Sequence, residues 1–371
     1  MLRWLILVAV AVGTLAGAAE GTTTAGCTNA LIISAKSGKV LRRLPQPVYS
    51  VVADGRGGWY VADSRLWHLR RDGSVDEGWH SPVRRVLGYG AADSAPGMLA
   101  RYRDRLYLAG RRRVVAVEAA TGRVLWRSPS VAGPILFGRR PTITGLAAGS
   151  GRVYVGGTFA HFGPAKRGGL AALAASTGHL LSWQAPPLLQ QAPSRIYSPG
   201  SATRLALSAS RIYVVGAFNQ VGVGRRRVAR PGVEAVRRSD GRLTGFLPRA
   251  RIEEPVSVAA WGRLLLLGCG ARVSVCEAHT GVFDARTGAP VRRFAFDEVL
   301  GAAAVGFAGP TAYLGAGSES DFGHNNYLIA IDLRTGRFDP WFPKSGYYVD
   351  VTEISVSGDR VLVAGSFCPG P

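Results

Sequence analysis

The chain has 371 residues and a formal net charge of +21, from 45 Lys and Arg against 24 Asp and Glu. At 47% hydrophobic, with 49 glycines and 21 prolines, it can bury a large core, which excludes disorder, and it is punctuated too often for a helix bundle, a coiled coil or collagen. Many short strands joined by turns, in a single domain, fit this composition.

Residues 1–18 read as a signal peptide: Arg3 gives a positive start, Leu5 to Leu15 an apolar run, and Ala16-Gly17-Ala18 small residues for cleavage. The mature domain is then 19–371, secreted or held at the cell envelope. An uncleaved anchor helix is the alternative, but the apolar run is shorter than the ~20 residues that span a bilayer, and no later stretch is long and apolar enough for a transmembrane span. Export makes disulfides expected, and Cys27, Cys269, Cys276 and Cys368 are an even set without zinc-ligand spacing. Thr24-Ala25-Gly26-Cys27 also permits a lipobox with Cys27 lipidated, although the polar residues around Glu20 and Thr22 to Thr24 separate it from the apolar run.

From there the sequence repeats itself. A small or polar residue before glycine recurs between strand-like runs, at Gly38, Gly73, Gly122, Gly178, Gly241, Gly288 and Gly336. Each copy reads as strand, tight turn, strand, with glycine supplying the positive φ of the turn. A second hairpin lies upstream of most copies, in "LARYRDRLYLAG", "GLAAGSGRVYVGG", "RLALSASRIYVVG", "VAAWGRLLLLG" and "ISVSGDRVLVAG". Its β-branched and aromatic residues suit a buried strand. One repeat therefore holds four antiparallel strands, the unit of a β-propeller blade.

Complete units fall near 49–83, 97–127, 143–186, 202–249, 256–296 and 302–344. The first fragment, "TNALIISAKSGKVLRRLPQP", reads as an outer hairpin and the last, "TEISVSGDRVLVAGSF", as an inner one. Together they predict a composite closing blade, the seventh, which removes the exposed edge of an open array. Six or eight blades are the alternatives. Cys27 precedes the first outer strand and Cys368 follows the last inner strand, so these two are expected to join, with Cys269 and Cys276 forming a local bridge.

"AVEAATGRVLW", at Ala116 to Trp126, resembles the tryptophan-docking repeat of quinoprotein-like (PQQ-like) β-propellers. Ala330, Asp332, Gly336 and Trp341 repeat the spacing, and Ala172, Gly178 and Trp183 do so more loosely. "VYVGGTFAHFGPAKRGGLAAL" is similar to the GGxF propeller repeats of secreted bacterial proteins. The resemblance spans nearly the whole mature chain and implies a fold rather than an activity. The adjacent-cysteine disulfide usual in quinoprotein dehydrogenases is missing here; no cofactor is expected, with PQQ or a divalent cation as the alternative. Trp79, Trp126, Trp183 and Trp341 keep one offset from the turn glycine and are expected to pack between blades.

Long irregular insertions fall on one face, that of the second turn of each blade and the connections between blades. Lys166 and Arg167 lie in one insertion, Arg225, Arg226, Arg227 and Arg230 in the next, and Arg139 and Arg140 in a connection. Arginine forks and the net charge suit an acidic partner, an envelope polymer or a protein; a solvated surface is the plain alternative. No RNA-binding motif or recognition helix is visible, so nucleic acid is not expected. Glu319, Asp321 and His324 are the weak metal candidates. Glu253, Glu254, Asp297 and Glu298 lie near blade connections and are the carboxylates that a channel enzyme of quinoprotein-like, lactonase or lyase type would use. No nucleophile elbow, zincin helix or P-loop is present. The expectation is a monomeric, non-catalytic binding module, with the propeller enzyme as the alternative.

Overall fold

A computed structural model describes residues 28–63, 65–83, 98–135, 140–191, 197–249, 255–269, 281–291, 304–315, 328–339 and 347–369. Their regular elements are almost all β-strands, in antiparallel sheets of three or four strands. Among the described residues no helix is long and apolar enough to cross a membrane.

Six sheets follow one another along the chain as up-and-down meanders. The first holds Ser50–Ala53, Trp59–Ala62 and Leu66–Leu69; the second Leu99–Tyr102, Arg105–Ala109, Val114–Glu118 and Val124–Arg127. The third holds Ile143–Gly149, Arg152–Gly157 and Leu170–Ala174; the fourth Arg204–Leu207, Arg211–Val215 and Val233–Arg237. The fifth holds Pro255–Trp261, Leu264–Cys269 and Gly281–Asp284; the sixth Ala304–Ala308, Thr311–Gly315, Leu328–Asp332 and Phe338–Asp339. A further, terminal sheet takes strands from both ends of the chain. Tyr347–Ser357 pairs with Arg360–Pro369, which pairs with Thr28–Ser34, which pairs with Val40–Leu44.

The expected fourth strand is shortened in four of these sheets. Outside the second, sixth and terminal sheets, the outer position is an isolated bridge, Leu69 to Val75, Leu173 to Leu180, Val236 to Leu243 or Phe283 to Pro290. The outer segment is fixed in the first, third and fourth sheets by a docked aromatic instead of a ladder. Trp79 and Trp183 are buried, and their indole N–H groups donate to the carbonyls of Ala119 and Arg237 in the following sheet. Trp126 of the second sheet donates likewise to Ala175. Phe246 takes this place in the fourth sheet, edge-on to Tyr213 at 5.3 Å. The described tryptophans therefore pack between sheets, as their fixed offset implies; Trp341 lies outside the described residues.

Second strands reach across the same gaps. The Tyr107, Tyr154 and Tyr213 hydroxyls donate to carbonyls of Ala175, Arg238 and Ala285 in the next sheet's outer turn. Two residues earlier, Arg105, Arg152 and Arg211 donate to the same turns. Tyr60, Tyr313 and Arg360 make the corresponding bonds to Ala119, Ala35 and Arg71. Part of the arginine excess is thus structural. Turn glycines serve this packing too: Gly178 has φ 72°, and a Cβ there would strike the Trp126 ring.

One apolar cluster fills each gap between successive sheets, from the first and second through to the sixth and terminal sheets. Another lies between the terminal and first sheets, with Ala30, Ile32, Leu362 and Ala364 against Val51, Trp59 and Val61. The leading strands also neighbour one another in that order, and Tyr347–Ser357 touches both Ala304–Ala308 and Ser50–Ala53.

Candidate functional site

In an antiparallel meander the turns after the first and third strands share one end, and the turn after the second strand shares the other with the connections between sheets. On this second end the insertions are not loose loops. Val131–Ala132, from the connection between second and third sheets, pairs with His161–Phe162, which pairs with Ala165–Lys166. Beside it, Leu188–Gln191 pairs with Tyr197–Pro199 and with Gln220–Val221, which pairs with Val228–Ala229. Two small sheets therefore stand on the third and fourth large ones.

Buried anchors hold them. Phe159 and Phe162 meet edge-on at 5.9 Å, and Leu188, Phe218 and Val221 are buried. Asn219 locks the second sheet, its Oδ1 accepting from Gln191 N–H at 2.8 Å and its Nδ2 donating to Gln191 O at 2.9 Å.

What this platform displays is a hairpin of mixed character. Its tip is a 3-10 turn at Gly224–Arg226, and Arg225 and Arg226 are exposed. Val223 and Val228 flank the turn at 63% and 36% exposure. Lys166 is exposed on the neighbouring hairpin, as are Arg140 and, at 62%, Ile135 on the connection. Arg227 is half-buried and donates from Nε to Gly224 O at 3.0 Å.

Arg167 and Arg230, candidates for the same surface, are half-buried. They occupy equivalent places just before the third strands of neighbouring sheets, with backbone N–H groups donating to Ala160 O and Asn219 O. Arg167 donates to Lys166 O and Leu181 O, and Arg230 to Ala229 O. Burial lowers the pKa of both. They brace the hairpins from which the exposed residues project.

Behind Arg230 lies a group the sequence did not flag. Glu234 is fully buried and neither carboxylate oxygen has a hydrogen-bond partner. Burial pushes its pKa up to about 8, against a smaller opposing pull from Arg230. At neutral pH the carboxyl therefore keeps its proton for most of the time.

An ion pair joins the fourth and terminal sheets. Arg204, on the leading strand of the fourth sheet, donates to Glu353 Oε1 at 3.3 Å and to Thr352 O at 3.1 Å. The fourth and terminal sheets do not follow one another in the succession, so this pair links two leading strands, Arg204–Leu207 and Tyr347–Ser357, that are not adjacent in it.

Another cluster escaped the sequence reading. His68 bonds through Nδ1 to Asp76 at 2.9 Å and through Nε2 to Asp54 at 3.1 Å, and it stacks on Tyr60 at 4.8 Å. The His68 bond, foremost, lowers the Asp76 pKa. Asp54 also accepts from Arg56 and Gly58 N–H groups, so this network ties a turn together. Among the described residues no group of three or more His, Cys, Asp or Glu could hold a metal ion.

Several sequence candidates lie outside the described residues: Arg139, Glu253, Glu254, Asp297, Glu298, Glu319, Asp321, His324, Cys27 and Cys276. Cys269 and Cys368 end or extend paired strands in the fifth and terminal sheets.

The meanders, the gap-filling clusters and the succession of leading strands define a β-propeller fold. Solved structures agree on it at low sequence identity. The WD40 β-propeller domain of Doa1 superposes with a TM-score of 0.52 at 11% identity, covering 92% of this chain and 97% of that one. The Neurospora crassa Pan2 WD40 domain gives 0.52 at 10%, covering 93% and 96%. The computationally designed Ika8 protein gives 0.55 at 12%, covering 89% and 87%. No protein-family model matches the sequence, and no curated protein matches it.

Proposed function

We propose that this chain is an exported, seven-bladed propeller that acts as a binding module at the cell envelope and docks an acidic partner on its loop face. The observation that carries this reading is the displayed hairpin, where Arg225 and Arg226 stand between the exposed Val223 and Val228 on a braced two-sheet platform. Lys166 adds a cation from the neighbouring hairpin. Apolar contact flanked by guanidinium forks suits an anionic protein surface or acidic polymer better than a small substrate.

The seven gap-filling clusters and the shared terminal sheet support seven blades closed by the two chain ends. A Cys27 to Cys368 bridge extends the same logic, since Thr28 pairs with Phe367. The indole bonds to turn carbonyls support the likeness to PQQ-like repeats as a matter of architecture.

Retention on immobilised poly-glutamate and polyuronate should be salt-sensitive and should fall about tenfold or more when Arg225, Arg226 and Lys166 become Ala, a loss of roughly 1.4 kcal/mol. Retention unchanged by the triple substitution contradicts the proposal.

A further inference from the structure

Glu234 breaks a pattern that the other sheets keep. Its partner across the ladder is Val214 of the second strand. In the other sheets the same place is taken by Trp67, Val115, Ala171, Gly281, Ile329 and Leu31, each paired with a second-strand residue that faces the preceding gap. Glu234 is the one carboxyl among them, fully buried and with neither oxygen bonded. A buried acceptor left unmet costs free energy that Val or Ala at this place would not.

A matching donor lies one tight turn away. Gly232 N–H donates to Arg230 O at 2.8 Å across Pro231, which sets Arg230 just ahead of the third strand. Its Nη1 donates to Ala229 O at 2.9 Å, while its Nε is buried with no acceptor. Arg230 is the charge that acts on Glu234. The cluster on that face holds Leu170 and Ala172 of the third sheet and Leu188 of the small sheet; Tyr154, its one titratable member, has its hydroxyl on Arg238 O. The third sheet carries the same arginine without the acid. Arg167 holds Lys166 O through Nη1 at 2.9 Å, its Nε is likewise buried with no acceptor, and Ala171 stands where Glu234 does.

Resting on the docking reading above, we infer that Glu234 is an internal pH switch for the displayed hairpin. When it gives its proton to water, its carboxylate takes the Nε–H of Arg230 and draws the guanidinium off Ala229 O. That loosens the Val228–Ala229 strand, which follows directly on Arg225 and Arg226. It also sets a negative charge behind those exposed cations. An acidic partner therefore binds the protonated form more tightly, and by linkage its binding holds the proton on Glu234. Burial pushes the pKa of Glu234 up to about 8, so the neutral form prevails at pH 7 and the charged form at pH 9.

Hydrogen exchange of the hairpin amides tests this without a ligand. From pH 7 to pH 9, exchange at Gln220–Val221 and Val228–Ala229 should speed up about tenfold more than at His161–Phe162 and Ala165–Lys166, the equivalent hairpin without the acid. Comparing the two hairpins cancels the acceleration of exchange by base. Amides of Arg152–Gly157 should stay protected, which separates loosening from unfolding. Glu234→Gln should abolish the excess. Retention on immobilised poly-glutamate at fixed salt should fall about fivefold from pH 7 to pH 9 in the unaltered protein and stay level in Glu234→Gln. Equal responses of the two hairpins, an excess that Glu234→Gln leaves intact, or retention that falls equally in both proteins overturns the inference. The exchange comparison needs no partner, so it is decided separately from the docking reading, which the loop-face triple variant tests at pH 7.

Discussion

Replacing Glu234 with Gln should make the protein markedly more stable above pH 8 and should flatten its dependence of stability on pH. Glu234 lies on the third strand of the fourth sheet opposite Val214, and it shares a sheet face with Val236. Both valines belong to the cluster that holds Leu170, Ala172 and Leu188. A carboxyl there is removed from water and has no hydrogen-bond partner, so its charged form is disfavoured. The sign follows from proton counting. A group whose pKa is raised from 4.5 to about 8 holds an extra proton in the folded state between those values, so folding free energy is lost as pH rises through that window. A shift of this size corresponds to roughly 5 kcal/mol. Gln keeps the volume and cannot ionise. Denaturant titrations from pH 5 to 9 should show the two proteins converging at the acid end and diverging at the alkaline end; parallel curves would contradict the assignment.

The second large effect is expected in the terminal sheet. Ile32 is fully buried, in the cluster that joins strands from both chain ends to the first sheet. Asp at this position removes a packed aliphatic side chain and places a carboxylate among Trp59, Val61 and Leu362. The cost should be about 4 kcal/mol or more, a large share of the roughly 5–15 kcal/mol that a domain commands. If Ile32→Asp does not accumulate, Ile32→Val reads the same site at about 1 kcal/mol. Leu41, on the neighbouring strand, is 44% exposed, so Leu41→Asp should shift stability by no more than about 0.5 kcal/mol. Equal effects at the two positions would mean that the sheet is not packed as described.

Much of this architecture was legible because it repeats. The turn glycines, the tryptophan offset and the two kinds of hairpin are local patterns, and local patterns survive in one dimension. The terminal sheet was readable for a related reason: an outer hairpin at one end and an inner hairpin at the other each lack the half that the other supplies. Contacts that cross between sheets were harder. "RLY", "RVY" and "RIY" at Arg105, Arg152 and Arg211 are plain in the sequence, yet they read as core strands, because the carbonyls they reach are some seventy or more residues away.

The same limit governed the site. Arg167 and Arg230 look like any other residues of basic loops, but they are half-buried and bonded to nearby carbonyls, while Arg225, Arg226 and Lys166 are exposed. The small sheets depend on pairing between a connection and a later insertion, such as Val131 with Phe162, which no periodicity announces. Glu234 sits in "GVEAVRR" as a polar interruption of an apolar run; that interruption was the available signal. The network of His68 with Asp54 and Asp76 and the pair of Arg204 with Glu353 join residues from separate strands and sheets, and only the folded chain brings them together.

The two chain ends meet in one sheet, and the proposed closed ring rests on that pairing. Native-state hydrogen exchange followed by peptide mass spectrometry tests this most directly. Amides of Thr28–Ser34 and Arg360–Pro369 should be as strongly protected as those of Arg152–Gly157 in the third sheet and should exchange with them in one cooperative step. Fast exchange confined to the two terminal segments, with the third sheet still protected, would contradict a ring closed by its own ends.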